Sequence, residues 1–276
     1  MNRQTRVYPA QRTGSGWISI LLLATAGLIA LSGVIWRDTG NKLAIEPLSS
    51  VTPIPLEESF DETPATRELA LPSSEWHALQ LGAFENEKAA AEMADQYGKR
   101  GAAGYVWHDG RYRVLAAVYP LKEDAQRVRD QLQELHEIET YLYQIRLPEI
   151  HLRLSGMQGQ LDILEAAVVH ANDLIAELQQ VSIAMDRQEM NAAEALARLR
   201  TLNEQISLVH IRLRQRFASP RHGAVDALLT CFEHCSAFCA ALNDHLSQVE
   251  LSTRIKHQTL GSLEDLQNVY DTLSHT

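Results

Sequence analysis

Aromatic side chains make up only 6% of this 276-residue chain, so stacked rings cannot fill most of its core and Leu and Ala must do so, as they do between helices. Cations are also in deficit: 25 Lys and Arg face 35 Asp and Glu, for a net charge of -10. That balance argues against a nucleic-acid partner held through its phosphates, which requires clustered Lys and Arg. Cysteine is scarce, with Cys231, Cys235 and Cys239 confined to one stretch, so no disulfide framework staples the fold. Motifs of reaction chemistry are missing as well. The chain has no HExxH, GxSxG, P-loop or GxGxxG, and His136-Glu137 lacks the second histidine that a zinc helix needs. The acid pair Glu57-Glu58 lies where nothing would exclude water or shift a carboxyl. We expect a non-enzyme without cofactor or metal.

One long uncharged run is present, Trp17 to Trp36, 20 residues in all, the length a helix needs to cross a bilayer. A tryptophan at each end suits the two interfaces, and the run is too long for the apolar part of a cleaved signal peptide. Arg3, Arg6 and Arg12 precede it without an acid, which places residues 1–16 in the cytoplasm and the bulk of the chain outside the cell membrane. Residues 37–74 carry Pro47, Pro53, Pro55, Pro64 and Pro72 among Ser, Thr and Glu, a composition expected of a disordered, acidic tether.

Residues 75–147 change character. Trp76 to Leu81 reads as a strand, Gly82 as a close bend, and Asn86 to Lys99 as a helix with Ala89, Ala90, Met93 and Ala94 at helical spacing. Ala103 to Trp107 is a second strand, His108-Asp109-Gly110 a turn, and Tyr112 to Val118 a third strand stopped by Pro120. Lys122 to His136 is amphipathic, with Ala125, Val128, Leu132 and Leu135 on one face, and Thr140 to Ile145 closes a fourth strand. The order is βαββαβ, an antiparallel sheet with both helices on one side. That arrangement leaves the other side of the sheet open, hence polar or ligand-binding. Strand alternation puts Arg113 on the face opposite to Tyr112 and Val114.

The run Gln80-Leu81-Gly82-Ala83-Phe84, with the Ala-rich helix after it, and the run Asp109-Gly110-Arg111-Tyr112-Arg113-Val114 together resemble the SPOR domain. Where that family usually ends its third strand in Gly-Pro-Phe, this chain has Ala117-Val118-Tyr119. The resemblance implies a small module that binds peptidoglycan, on glycan strands stripped of stem peptides, through the exposed sheet face. It carries binding roles onto Gln80 and Arg113, with Ala83 and Arg111 beside them; Arg111 stands where some members have an aromatic residue.

From residue 148 to 276 apolar residues recur at three-four spacing in three sets. They are Leu161, Leu164, Val168, Ala171, Ile175, Leu178 and Met185; then Leu196, Leu199, Ile206, Leu213 and Phe217; then Val225 through Cys235 and Cys239 to Leu242, Leu246 and Val249. These predict an antiparallel bundle or coiled coil, with breaks near Asp186–Glu189, at Ser219-Pro220 and at Gly261-Ser262. Cys235 and Cys239 on the third seam read as small core residues, since three thiols climbing one helix cannot converge on one ion. The fold class expected is therefore α+β: membrane helix, linker, SPOR-like module and helical bundle. Its expected function is to bind peptidoglycan without catalysis and to localise the protein to wall remodelling in division or sporulation. The alternative is a structural protein whose module and bundle dock partner proteins, and the bundle could also self-associate.

Overall fold

The computed structural model describes residues 63–217 and 223–274; the expected membrane helix and most of the tether lie outside them. Among the described residues no helix is long and apolar enough to cross a membrane. The chain is α+β, with a β-rich first part and a helical second part.

Strand β2 (Ser74–Phe84) is central. It pairs antiparallel with β4 (Tyr112–Tyr119) on one side and β5 (Tyr141–Leu147) on the other, and β3 (Tyr105–His108) pairs with β4 at the edge, giving the order β3-β4-β2-β5. Helices α1 (Glu87–Gly98) and α2 (Lys122–His136) cover one face. Asn86 starts α1: its Oδ1 accepts from the backbone N–H groups of Lys88 at 2.8 Å and Ala89 at 3.3 Å, which satisfies two donors that the helix leaves orphaned. Ala90 and Ala94, both buried, let this helix lie close over Val114. Gly82 is required by the same closeness, because a Cβ there would stand 3.0 Å from Met93 Sδ and 3.1 Å from the Phe84 ring. Under α2, Ala125, Val128 and Leu132 pack on Leu79, Ala116 and Tyr119. Leu135, expected on the same face, is instead 53% exposed; the helix ends one residue later, and Ile138 packs against the cluster.

The tether ends earlier than expected. Pro64–Leu71 is strand β1, which pairs in antiparallel register with β6 (Ile150–Met157), from Pro64 opposite Met157 to Leu71 opposite Ile150. The two are continuations of β2 and β5 beyond Pro72 and Pro148, whose missing N–H groups interrupt the ladder. Thus residues 64–71 are ordered β-structure, and the second part of the chain opens with a strand.

Four helices follow: α3 (Gln158–Asp186), α4 (Ala192–Arg216), α5 (Gly223–Ala240) and α6 (Gln248–Ser274). Neighbours in sequence run antiparallel, as shown by Glu177 bonding Arg198 across α3–α4, Asn203 accepting from Ser236 across α4–α5 and His234 meeting Asp265 across α5–α6. Asn191 and Glu194 cap α4 reciprocally at 2.9 and 3.0 Å. The first two apolar sets line the core as predicted, with Phe217 only partly buried. Leu202 and Val209 are buried, so Asn203 and His210 fall at the stripe's edge. The third set does not run through: α5 stops at Ala240, and Leu242 and Leu246 lie in the connection to α6. Cys231 and Cys235 are fully buried in the core.

Gly261-Ser262 does not interrupt α6, and Ser262 is not a cap; it is buried and accepts from Gln258 Nε2 at 3.1 Å. A Cβ at Gly261 would come 3.5 Å from the Tyr105 ring, an ordinary van der Waals distance, so helix α6 touches the sheet there. That contact joins the two parts. Ala78, Trp107, Leu115, Val118 and Ile145 of the sheet share one continuous apolar core with α3 to α6.

Candidate functional site

Directly opposite residues of an antiparallel pair point to the same side of the sheet. Arg113 on β4 stands opposite Ala83 on β2 and Trp107 on β3, Gln80 stands opposite Tyr141 on β5, and Ala78 stands opposite Tyr143. These residues therefore share the face turned away from α1 and α2, while Val114 packs under α1, as the alternation predicts.

That face is not open along its length. Helix α6 crosses it where β2 and β3 begin. Lys256 Nζ donates to the Gly101 carbonyl at 2.9 Å, and His257 Nδ1 lies 3.0 Å from the Ala103 carbonyl. Tyr105 donates to Glu264 and meets the His257 ring edge-on at 4.9 Å. Further along, the Tyr270 hydroxyl donates to the Pro72 carbonyl at 3.4 Å. Lys256 also pairs with Asp186 at 2.8 Å, and Asp186 accepts from Ser252 at 2.7 Å, so the C-terminal end of α3 is tied into the same contact. Burial and the Glu264 carboxylate raise the Tyr105 hydroxyl, which stays a donor. The expectation of an open sheet face is corrected accordingly. Apolar residues on both faces of β2 and β4 require cover on both sides, and α6 supplies the second cover.

The far end, beside the turn between β3 and β4, remains accessible and polar. Arg113 Nε donates to both carboxylate oxygens of Asp109, at 2.9 and 2.8 Å, and Arg113 Nη1 donates to Gln80 Oε1 at 2.9 Å. The Tyr143 hydroxyl donates to Asp109 Oδ2 at 2.8 Å, and the Arg113 guanidinium lies 4.7 Å from the centre of the Tyr143 ring, a cation–π distance. Tyr141, two residues before Tyr143 on the same face, is 54% exposed and donates to Glu139. Burial alone would raise the Asp109 carboxyl, but the bonds from Arg113 and Tyr143 outweigh it and hold it below the ordinary range. Burial, then the bond to Asp109, pushes the Tyr143 hydroxyl up to about 12.

Of the residues expected at the site, Gln80 and Arg113 are brought into direct contact and Ala83 forms floor beside Arg113. Arg111 stands apart, in the turn, where it pairs with Glu85 at 3.0 Å. Asp109, Tyr141 and Tyr143 join the site without having been assigned to it. The spacing of the two tyrosines was a signal, since residues two apart on a strand share a face. The arrangement offers flat aromatic surface, a carboxylate that accepts from hydroxyls and an amide whose NH2 is free to donate.

The family model of the SPOR domain matches residues 73–144, which span β2 to the middle of β5. The SPOR domain is a peptidoglycan-binding domain and is not itself catalytic. No curated protein and no solved structure matches the chain.

Proposed function

We propose that this protein binds the glycan strands of peptidoglycan, stripped of stem peptides, through the far end of the sheet face, and does no chemistry on them. The observation that carries the reading is the Gln80–Arg113–Asp109–Tyr143 cluster beside the exposed Tyr141, lying within the matched residues. Sugars present hydroxyl and acetamido groups at ring edges and apolar C–H faces, which amides, carboxylates and tyrosine rings complement. With Trp17–Trp36 as a membrane anchor and a cytoplasmic N-terminus, binding would hold the protein at sites of wall remodelling in division or sporulation. The anchor is tested separately, by protease access to the C-terminal part in intact cells.

The binding test is co-sedimentation of residues 63–276 with purified sacculi, before and after amidase treatment. Wild type is expected to sediment, more so after treatment, and a Gln80→Ala/Arg113→Ala double variant to remain in solution. Equal sedimentation of the two proteins refutes the assignment. A second reading, in which the module docks protein, draws on the near end of the face, which already packs against helices of this chain. It predicts no pelleting with sacculi and crosslinking of the chain to a protein partner or to itself.

A further inference from the structure

We infer that, if the sheet face binds glycan, its far end takes an uncharged N-acetylhexosamine unit and not the carboxylate that a stripped muramyl sugar carries, with Asp109 as the residue that sets this choice. The inference rests on the glycan reading above and adds to it which sugar the site selects.

An arginine at a binding site is ordinarily a receptor for anions, because its fork of N–H groups matches a carboxylate. Here two of the five N–H groups of that fork are already held, by Asp109 and by Gln80. Arg113 Nε reaches both Asp109 oxygens and Nη1 is taken by Gln80. Asp109 is held in turn by the Tyr143 hydroxyl, so the carboxylate is fixed from β4 and from β5 and cannot swing aside without breaking bonds to both. Its lowered carboxyl keeps it ionised at neutral pH.

The nearby cation is neutralised in the same way: Arg111 faces Glu85 at 3.0 Å. Each of the two arginines at this end thus has its own carboxylate, leaving no net positive charge for an acid to seek. An incoming carboxylate would meet the fixed, ionised Asp109 with like charge. A neutral sugar meets no such opposition. Its hydroxyls can donate to the lone pairs that Asp109 keeps, its acetamido oxygen can accept from the Gln80 amide, and its ring can lie on Tyr141.

The test compares residues 63–276 binding to two probes of equal length, an oligomer of N-acetylglucosamine and a stripped glycan bearing free muramyl carboxylates. Wild type is expected to bind the neutral oligomer at least as tightly, with affinity nearly unchanged between ~0.05 and ~0.5 M salt. Asp109→Asn keeps the shape of the side chain and removes its charge. It should gain about tenfold for the carboxylate probe at low salt, a gain lost at high salt, without gaining for the neutral one. A thermal melt of the variant shows whether the fold is kept, and Asp109→Ser repeats the charge removal in a smaller side chain. Wild type preferring the carboxylate probe in a salt-dependent way overturns the inference while leaving glycan binding intact. Binding of neither probe by wild type removes the glycan reading itself, and this inference with it.

Discussion

The second face of the sheet is built in two ways within the same strands. Ala78, Trp107, Leu115 and Ile145 are all under 5% exposed and continuous with the helical core. Opposite Ala78, Trp107 and Leu115 in the register stand Tyr143, Arg113 and Gln80, partly exposed and joined through Asp109 by hydrogen bonds, with the exposed Tyr141 beside Gln80. The difference separates cover from site. Re-exposing Trp107, Leu115 and Ile145 would cost about 2 kcal/mol each, a large share of the ~5–15 kcal/mol that keeps a domain folded. Helix α6 is therefore a structural wall and not a lid that a ligand lifts.

The sharpest way to break this contrast is to remove the wall. Residues 73–147 alone would leave Trp107 and Leu115 in water and should not fold as they do within residues 63–276. Both tryptophans of the longer piece, Trp76 and Trp107, lie within the shorter one, so their fluorescence reports on it. The emission of 73–147 is expected to shift to the red, with dye binding to exposed apolar surface. A native-like spectrum with a cooperative melt would show that the near end needs no cover. Lys256→Met is the next largest change. It leaves Asp186, its side chain only 11% exposed, without its cation and the Gly101 carbonyl without its partner, and breaking such a pair costs about 3–5 kcal/mol. For a chain of this size the melting temperature should fall by about 10 °C; a fall under about 2 °C would mean that the pair does not hold sheet and helices together.

The far end answers to pH instead. Asp109 titrates lower when folded than the ~3.9 of an unfolded chain, so its contribution is present above that value and is lost as pH falls through the folded one. Tyr143 does the reverse: raised to about 12 from ~10, its contribution is whole below pH ~10 and is lost as pH climbs to ~12. Asp109→Asn should flatten the acid side of the denaturant stability profile and Tyr143→Phe its alkaline side. Unchanged profiles in both variants would show that the cluster adds nothing to the fold.

How much of this was readable from residues follows from how local each feature is. The strand before Gly82, the Ala-rich helix, the turn at Asp109 and the first two helical seams rest on near neighbours, and each is found where its pattern lies. Strand β1 escaped because it sits within a proline-rich stretch and its partner is far along the chain: Thr66 bonds Ser155 across 89 residues. Its one local trace was the alternation Ile150-His151-Leu152-Arg153-Leu154 in β6. The covering of the sheet was written in Val114-Leu115-Ala116-Ala117-Val118-Tyr119, a nearly unbroken apolar run of the sort that strands buried on both faces display. Gly261 has the look of a break in a helix and is instead the place where α6 meets Tyr105, which no helix pattern reveals. Within the site, Gln80 and Arg113 came from the motif, whereas Asp109 depends on side chains meeting across three strands.

The smallest effect expected is also the most discriminating between two arginines of one motif. Arg111 and Arg113 are two residues apart in sequence, yet Arg113 has its side chain 23% exposed within the cluster and Arg111 has its own 50% exposed against Glu85, itself 79% exposed. Ion pairs on a surface contribute about 0–1 kcal/mol, since water and salt screen them and both side chains lose freedom in pairing. Arg111→Ala should accordingly leave the melting temperature within about 2 °C of wild type and leave pelleting with amidase-treated sacculi unchanged. Arg113→Ala, measured beside it, should lower both, because it strips Asp109 of its cation and Gln80 of its donor. If the two variants lose binding equally, the turn takes part in the site and the boundary of the far end moves outward to Arg111 and Glu85. If only Arg113→Ala loses it, the ligand rests on the strands, where Gln80 and the tyrosines stand.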